Sequence, residues 1–238
     1  MSLLAVQGVT RRFAGLVALK DVSFEVPEGS ITALIGPNGA GKTTCFNIIA
    51  GAMPPTGGTV MFEGRDLAGL PPEQACMRGI ARTFQIVRPL AALTVLENVT
   101  VAALLHERSI APAREQAARV LERLGLGHKA GALASGLALP ERKMLELAKA
   151  LATRPRLLML DEVMAGLRPA EAVRISGVVR ELNGEGLAVL LIEHVMRVVM
   201  ALASKVVVLH HGEKIAEGSP QAIAADPRVI ESYLGNRK

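Results

Sequence analysis

The hydrophobic pattern of the chain alternates short strand-like runs with helical stretches. Residues 31–35, 157–160 and 187–192 are continuous apolar runs, which are typical of parallel strands covered on both faces. Residues 22–26 instead alternate apolar and polar positions, which predicts a half-exposed antiparallel strand. This alternation of strands with helical patterns predicts an α/β fold.

The middle of the chain has a helical pattern. Segments 94–106, 113–126 and 141–153 place apolar residues three to four positions apart, as in Ala118, Leu121 and Leu124, so three helices are predicted. We therefore expect one domain over residues 1–238, with a helical subdomain at roughly 87–153 inserted into a core of roughly 1–86 and 154–238. Near the end, a hairpin is predicted around His211-Gly212-Glu213, followed by short helices at 220–225 and 227–234.

Composition and charge exclude several classes of protein. The 238 residues are 50% hydrophobic and 21% charged, which favours a packed core over disorder. The net charge of +5 is spread along the chain without a dense basic cluster, so no nucleic-acid partner is predicted. Cys45 and Cys76 do not suit a disulfide framework or a metal knuckle, which favours a reducing, cytosolic compartment. The pattern predicts neither a signal peptide nor a membrane span.

The run 31–35 ends in a glycine-rich segment that matches the P-loop pattern, Gly36-Pro37-Asn38-Gly39-Ala40-Gly41-Lys42-Thr43-Thr44. Glycines let successive main-chain N–H groups surround a phosphate, and the following helix adds a positive field. Lys42 is predicted to reach the β- and γ-phosphates, Thr43 to bind Mg²⁺ and Thr44 to donate to the α-phosphate. The alternative is a glycine-rich turn that opens an ordinary helix. The predicted nucleotide ligands in this loop are Gly36, Asn38, Gly39, Gly41, Lys42, Thr43 and Thr44.

A second apolar run, 157–160, ends in two carboxylates, Asp161 and Glu162. An aspartate at a strand tip beside a P-loop is placed to hold Mg²⁺, usually through water. Glu162 lies one residue further on and is predicted to polarise the attacking water. The alternative is a solvated strand end that happens to carry acidic residues.

With these motifs in order, the sequence resembles the ATP-binding subunits of ABC transporters over essentially the whole chain. The resemblance implies the ABC ATPase fold, a P-loop NTPase core with an antiparallel β subdomain and an inserted helical subdomain. It also implies ATP and Mg²⁺ as cofactors. Phe13 matches the aromatic residue that stacks on adenine, the alternative being a core phenylalanine. Gln85 matches the Q-loop glutamine, which senses the γ-phosphate and Mg²⁺, and His194 matches the switch histidine, which contacts the γ-phosphate.

Within the family, two stretches resemble the subunits that energise branched-chain amino-acid uptake, namely Arg82-Thr83-Phe84-Gln85 and the tail from Gly212 to Gly235. The resemblance implies an ATPase subunit that couples ATP binding and hydrolysis to uptake of branched-chain or related amino acids. The implied partners are membrane-spanning permease subunits, a second ATP-binding subunit and a separate solute-binding protein. The implied location is the cytoplasmic face of the inner (plasma) membrane, peripheral through the permease. A groove near Gln85 that includes Ile86, Val87 and Leu90 is expected to face the permease.

One motif departs from the family pattern. The family signature, usually LSGGQ, aligns here with Leu137-Ala138-Leu139-Pro140-Glu141. In the family, two ATP-binding domains pair head to tail, and the signature serine and glycines donate hydrogen bonds to the partner's ATP. Ala138 has no hydroxyl and Pro140 has no N–H, so at least two donors are missing. Arg168 and Val163 also depart from the usual Asp or Asn and the common Pro.

The chain thus keeps the groups for its own ATP and loses some of those for a partner's ATP. This asymmetry favours a heterodimer with a different ATP-binding subunit over a homodimer that tolerates the change. Two other functions stay open: a weakly hydrolysing nucleotide-binding subunit that regulates a partner ATPase, and an ATPase subunit for a different solute. A switch ATPase of translation or repair usually has a second ATP-binding domain or a long coiled-coil insertion, and the sequence pattern here shows neither, so this class is not favoured. A P-loop kinase would not explain Gln85, Glu162 and His194 together.

Overall fold

The structure, a computed structural model, describes residues 2–85 and 87–234, without the side chain of Leu234. Ile86 of the expected permease groove and Gly235 of the tail lie outside the described residues. The strands are β1 (Ser2–Phe13), β2 (Leu16–Pro27), β3 (Ile31–Ile35), β4 (Gly57–Phe62), β5 (Arg65–Asp66), β6 (Ile80–Arg82), β7 (Leu157–Asp161), β8 (Ala188–Ile192), β9 (Lys205–His210) and β10 (Glu213–Gly218). The helices are α1 (Lys42–Ile49), α2 (Pro72–Met77), α3 (Val95–Ala103), α4 (Ile110–Arg123), α5 (Leu139–Ala152), α6 (Pro169–Gly184), α7 (Met196–Leu202), α8 (Pro220–Ala225) and α9 (Pro227–Leu234).

The chain divides into two compact units. Unit 1 runs up to Ala75 and resumes at Leu182, and unit 2 is Cys76–Glu181. The sequence-based boundaries of the helical subdomain, 87–153, remain a prediction. Within the described part of the chain, no helix combines the length and the apolar character that a membrane span requires.

Unit 1 contains an antiparallel sheet with the strand order β2-β1-β4-β5. In β2, Val22, Phe24 and Val26 are buried whereas Ser23 and Glu25 are exposed, so the predicted alternation is confirmed. β1 is less regular, with several register shifts along its pairing with β2. The hairpin ends where Phe13 pairs with Leu16.

The second layer of unit 1 is built on parallel strands. β3 pairs in parallel with β8 on one side and with β9 on the other. Every residue of β3 and of β8 is buried, which explains why both strands are continuous apolar runs in the sequence. Leu34 is in register with Ile192, so the segments that follow β3 and β8 leave the sheet at the same edge. Ligands of open α/β sheets bind at such an edge.

The last part of unit 1 is a hairpin followed by two short helices. β9 and β10 pair antiparallel on either side of His211 and Gly212, as predicted. Ser219 caps α8 by accepting a hydrogen bond from the Ala222 N–H, and α9 follows after Asp226. Both helices have the predicted bounds.

Unit 2 packs three helices, α3, α4 and α5, against one another. Their buried faces are rich in alanine, which allows close approach of the helices; they include Val95, Val99, Ala103, Ala113, Ala117, Leu121, Leu145, Ala148 and Ala152. α4 begins and ends three residues earlier than the predicted 113–126. It ends before Gly125 because the chain takes a left-handed turn there (φ +67°). Unit 2 also contains the parallel pair β6 and β7, with Arg82 in register with Met159.

A capping box begins α3. The Thr94 hydroxyl accepts a hydrogen bond from the Glu97 N–H at 3.1 Å, and the Glu97 carboxylate accepts one from the Thr94 N–H at 2.7 Å. We expect Thr94→Ala to lower the free energy of unfolding by about 1 kcal/mol, because it leaves an N–H of the first turn without its acceptor. Urea denaturation measures this loss. Thr94→Ser keeps the hydroxyl and is expected to stay close to the wild type; an equal loss in both variants would contradict the capping role.

Candidate functional site

The P-loop lies between β3 and α1, where close packing demands glycine at two positions. A Cβ on Gly36 (φ +147°) would lie 2.1 Å from the carbonyl oxygen of Leu209. A Cβ on Gly41 (φ +102°) would lie 2.7 Å from the carbonyl oxygen of Ala18. Side chains are therefore excluded at both positions, and the main chain of the loop can adopt the tight curve that a phosphate cradle requires.

Lys42 turns back over the loop that precedes it. Its side chain is buried, with 6% of the residue exposed. The Nζ atom donates hydrogen bonds to the carbonyl oxygens of Gly36 at 2.7 Å and Pro37 at 2.9 Å. The ammonium group is thus fixed beside the main chain of the loop, where phosphate oxygens would be stronger acceptors than two neutral carbonyls. Thr43 is exposed and Thr44 half-buried at the start of α1.

The parallel strands bring His194 to the same edge of the sheet as the P-loop. Leu34 pairs with Ile192, so Gly36 and His194 each stand two residues beyond a paired position. His194 is exposed and lies between β8 and α7. The switch role of His194 remains a prediction. That role requires His194 to lie at the same edge of the sheet as the P-loop, and the pairing of Leu34 with Ile192 meets this requirement.

Phe13 stands at the end of β1 with 37% of its surface exposed. The Arg11 guanidinium lies 4.6 Å from the centre of its ring, a distance at which a cation is attracted to the face of an aromatic ring. The side chain is therefore at the surface rather than in the core. Its stacking on adenine remains a prediction.

In unit 2, one short segment contacts both carboxylates at the tip of β7. The Arg82 guanidinium bonds to Asp161 Oδ2 at 2.7 Å, and Gln85 Nε2 donates to Glu162 Oε2 at 2.7 Å. Asp161 is almost fully buried, with 4% exposed, so its pairing with Arg82 offsets the cost of removing a charge from water. The parallel pairing of β6 with β7 places the segment from Arg82 to Gln85 beside the end of β7, which carries Asp161 and Glu162.

The main chain at Glu162 is strained. Its φ of +48° lies in the left-handed region, which costs a residue with a Cβ roughly 1–2 kcal/mol. The turn separates the two carboxylates, so that Asp161 meets Arg82 whereas Glu162 meets Gln85. Strain of this kind persists where surrounding contacts fix the conformation, and it concentrates at functional sites.

The structure thus brings the predicted residues together in two groups. The P-loop and His194 form one group in unit 1, and Gln85, Asp161 and Glu162 form the other in unit 2. Sequence reasoning gave Arg82 no role of its own. Its position three residues before Gln85 was the available signal. Its partner Asp161 lies 79 residues further along the chain, so no local pattern pointed to the contact.

Two family models match the chain. Residues 19–165 match the ABC transporter family, and residues 213–238 match the branched-chain amino acid ATP-binding cassette transporter family. The chain is 43% identical to the high-affinity branched-chain amino acid transport ATP-binding protein LivG of Salmonella typhimurium, over 98% of both chains. It is 40% identical to the protein of the same description, BraF, from Pseudomonas aeruginosa, again over 98% of both chains.

The chain belongs to the ABC transporter family. Members of this family are ATPases coupled to transport, and their ATP-binding domains bind nucleotide.

Solved ABC cassettes share the fold. A nucleotide-free ATP-binding cassette from an ABC transporter matches with a TM-score of 0.91 at 33% identity, covering 99% of this chain and 100% of the other. The ADP conformation of MJ1267, also an ATP-binding cassette of an ABC transporter, matches with a TM-score of 0.91 at 34% identity and the same coverage. The predicted fold class, an ABC ATPase, is confirmed.

In this ABC protein, the residues aligned with the family signature form the start of α5. Ala138 is the N-cap residue, and its N–H donates to Glu141 Oε2 at 2.9 Å. That hydrogen bond, assisted by Lys129 at 3.3 Å, holds the pKa of Glu141 below its ordinary value. The Ala138 N–H is therefore engaged within the chain, next to the absent hydroxyl of Ala138 and the absent N–H of Pro140.

We expect Lys42→Ala to weaken ATP binding at least about tenfold, because each lost charge-assisted hydrogen bond is worth about 1.5–3 kcal/mol. Isothermal titration calorimetry with ATP measures the change. Lys20→Ala is the matched control, since Lys20 forms an exposed ion pair with Glu213 in the same unit. Equal affinities in the two variants would contradict the assignment of the phosphate cradle.

Proposed function

We propose that this chain is the ATP-hydrolysing subunit of an ABC transporter that takes up branched-chain or related amino acids. The observation that carries this solute class is the full-length similarity to LivG and BraF, at 43% and 40% identity. The match of residues 213–238 to the branched-chain amino acid cassette family supports it independently of the ATPase motifs.

ATP is held by the P-loop in this proposal. Main-chain N–H groups of the loop and the side chains of Asn38, Lys42 and Thr44 bind its phosphates, and Phe13 stacks on the base. The packing that excludes side chains at Gly36 and Gly41 supports this role, as does the buried ammonium group of Lys42.

The residues present also fit Mg²⁺. The Thr43 hydroxyl, the Asp161 carboxylate and the Gln85 amide supply the hard oxygen ligands that this ion prefers. Among the described residues, no cluster of three or more His, Cys, Asp or Glu side chains suits a metal ion. When bound, Mg²⁺ neutralises negative charge on the phosphate oxygens.

Glu162 is the proposed general base. It orients a water and accepts its proton as the water attacks the γ-phosphorus, and the bond to the β-phosphate oxygen breaks to release ADP and phosphate. Gln85 and His194 position the reacting groups. The hydrogen bond from Gln85 to the Glu162 carboxylate supports a shared role, because it fixes the direction of that carboxylate.

The proposed assembly contains membrane-spanning permease subunits, a second ATP-binding subunit and a separate solute-binding protein. The chain would lie on the cytoplasmic face of the inner membrane and attach through the permease. Exposed apolar side chains in unit 2, including Phe84 and Leu90 near Gln85, supply a surface for the permease contact.

The start of α5 supports a heterodimer rather than a homodimer. Of the donors that a signature offers to a partner's ATP, this chain lacks the serine hydroxyl at Ala138 and one glycine N–H at Pro140. A different subunit with an intact signature would complete the site at this chain's P-loop. The same observation keeps a weakly hydrolysing regulatory subunit as the second candidate function.

Glu162→Gln tests the enzyme assignment. We expect ATP to bind with affinity within about twofold of the wild type, while turnover falls about 10²–10⁴-fold, as for loss of a general base. Phosphate release measures turnover, and calorimetry measures binding. Glu181→Gln, on an exposed glutamate of unit 2 that pairs with Arg123, is the matched control. Wild-type turnover in Glu162→Gln would remove its catalytic role.

The pairing preference and the solute class have separate tests. We expect the purified chain alone to hydrolyse ATP slowly and the addition of a second ATP-binding subunit with an LSGGQ-type signature to raise turnover at least about tenfold. Brisk turnover by the chain alone would favour the homodimer, and slow turnover in both cases would favour the regulatory subunit.

Deletion of the gene is expected to abolish uptake of radiolabelled leucine, isoleucine and valine; unchanged uptake would contradict the solute class.

A further inference from the structure

Helix α5 carries a buried lysine that is directed at the main chain of two proposed catalytic residues. Lys143 is only 3% exposed. Its Nζ atom donates hydrogen bonds to the carbonyl oxygen of Gln85 at 3.1 Å and to that of Glu162 at 3.4 Å. One ammonium group therefore links the Q-loop segment to the residue that follows Asp161.

A lysine in this position needs a physical reason. Lysine is almost never fully buried, because removing an ammonium group from water is costly unless strong acceptors replace the water. An apolar side chain of similar length, such as methionine, would fill the volume without that cost. The carbonyl oxygens of Gln85 and Glu162 are acceptors that an ammonium group can bind and an apolar side chain cannot.

The carbonyl oxygen of Glu162 belongs to the strained turn at the end of β7. It accepts one hydrogen bond from the Ala165 N–H at 3.0 Å and a second from Lys143. The side chain of the same residue accepts a hydrogen bond from Gln85 Nε2. Glu162 is therefore held through its main chain by Lys143 and through its carboxylate by Gln85, and the main chain of Gln85 is held by the same lysine.

We propose that Lys143 is a positioning residue for ATP hydrolysis, which keeps Glu162 in its left-handed conformation and Gln85 within hydrogen-bonding distance of the Glu162 carboxylate. This inference rests on the proposed function of Glu162. It also gives a direct connection, through one side chain, from α5 to the proposed general base. Because α5 begins at the residues aligned with the family signature, a displacement of that helix is passed to Glu162 through Lys143.

The same helix supplies a matched control. Lys149 lies six positions further along α5 and forms an ion pair with Glu146 at 2.6 Å. Lys149→Met removes an ammonium group from α5 just as Lys143→Met does, but it breaks a contact with a side chain rather than with the main chain of the site. Lys143→Arg retains the charge and the donors, and it serves as the conservative variant.

Amide hydrogen exchange on the full chain tests the positioning role without any turnover. In Lys143→Met, we expect at least about threefold faster exchange in peptides that contain Gln85 and in those that contain Glu162 and Ala165, since the Ala165 N–H bonds to the Glu162 carbonyl. Lys143→Arg and Lys149→Met are expected to exchange at nearly the wild-type rate in these peptides. Equal exchange in Lys143→Met and Lys149→Met would overturn the proposal.

Steady-state kinetics in the presence of the second ATP-binding subunit give the functional result. We expect Lys143→Met to lower kcat at least about tenfold while KM for ATP stays within about threefold, and Lys143→Arg to restore most of kcat. A kcat in Lys143→Met equal to that of Lys149→Met would overturn the role. Glu162→Gln, measured in parallel, separates the positioning role of Lys143 from the general-base role of Glu162. If Glu162→Gln loses turnover but Lys143→Met does not, only the role of Lys143 fails. If Glu162→Gln retains turnover, the proposed function of Glu162 fails.

Discussion

The pairing of parallel strands decides where this protein can place its polar chemistry. Every residue of β3, β7 and β8 is buried, and the charged side chains therefore lie where these strands end rather than within them. In unit 1, β3 ends in the P-loop and β8 ends close to His194, and their register brings these two ends to one edge. In unit 2, β7 ends in Asp161 and Glu162 beside β6. In both units, the residues that we propose to act on ATP therefore lie at the ends of strands.

The two strand ends are stabilised in different ways. At the P-loop, the constraint is steric, because the carbonyl oxygens of Leu209 and Ala18 leave no room for a Cβ on Gly36 or Gly41. At the tip of β7, the constraint is electrostatic, because a buried carboxylate and a strained backbone turn both need charged or amide donors close by. Arg82, Gln85 and Lys143 supply those donors. Substitutions in the second group are therefore expected to affect catalytic geometry more than nucleotide affinity.

Much of this could be predicted from the sequence because its signals are local. The continuous apolar runs predicted the buried strands, the spacing of glycines predicted the P-loop, and the helical pattern from Pro220 predicted α8. β1 escaped prediction because register shifts interrupt its alternation, and β5 and β6 because they have only two and three residues. The roles of Arg82 and Lys143 depend on partners 79 and 19 residues away, and no local pattern encodes such contacts. The same holds for the bond that engages the Ala138 N–H, since only the folded helix start shows where the Glu141 carboxylate points.

The central claim is that the loop at residues 36–44 binds the triphosphate of ATP. A crystal structure of the chain with ATP and Mg²⁺ tests it most directly. The account predicts phosphate density along this loop, with Lys42 Nζ moved from the carbonyl oxygens of Gly36 and Pro37 to phosphate oxygens. A triphosphate bound elsewhere, with Lys42 still on its two carbonyls, would contradict it.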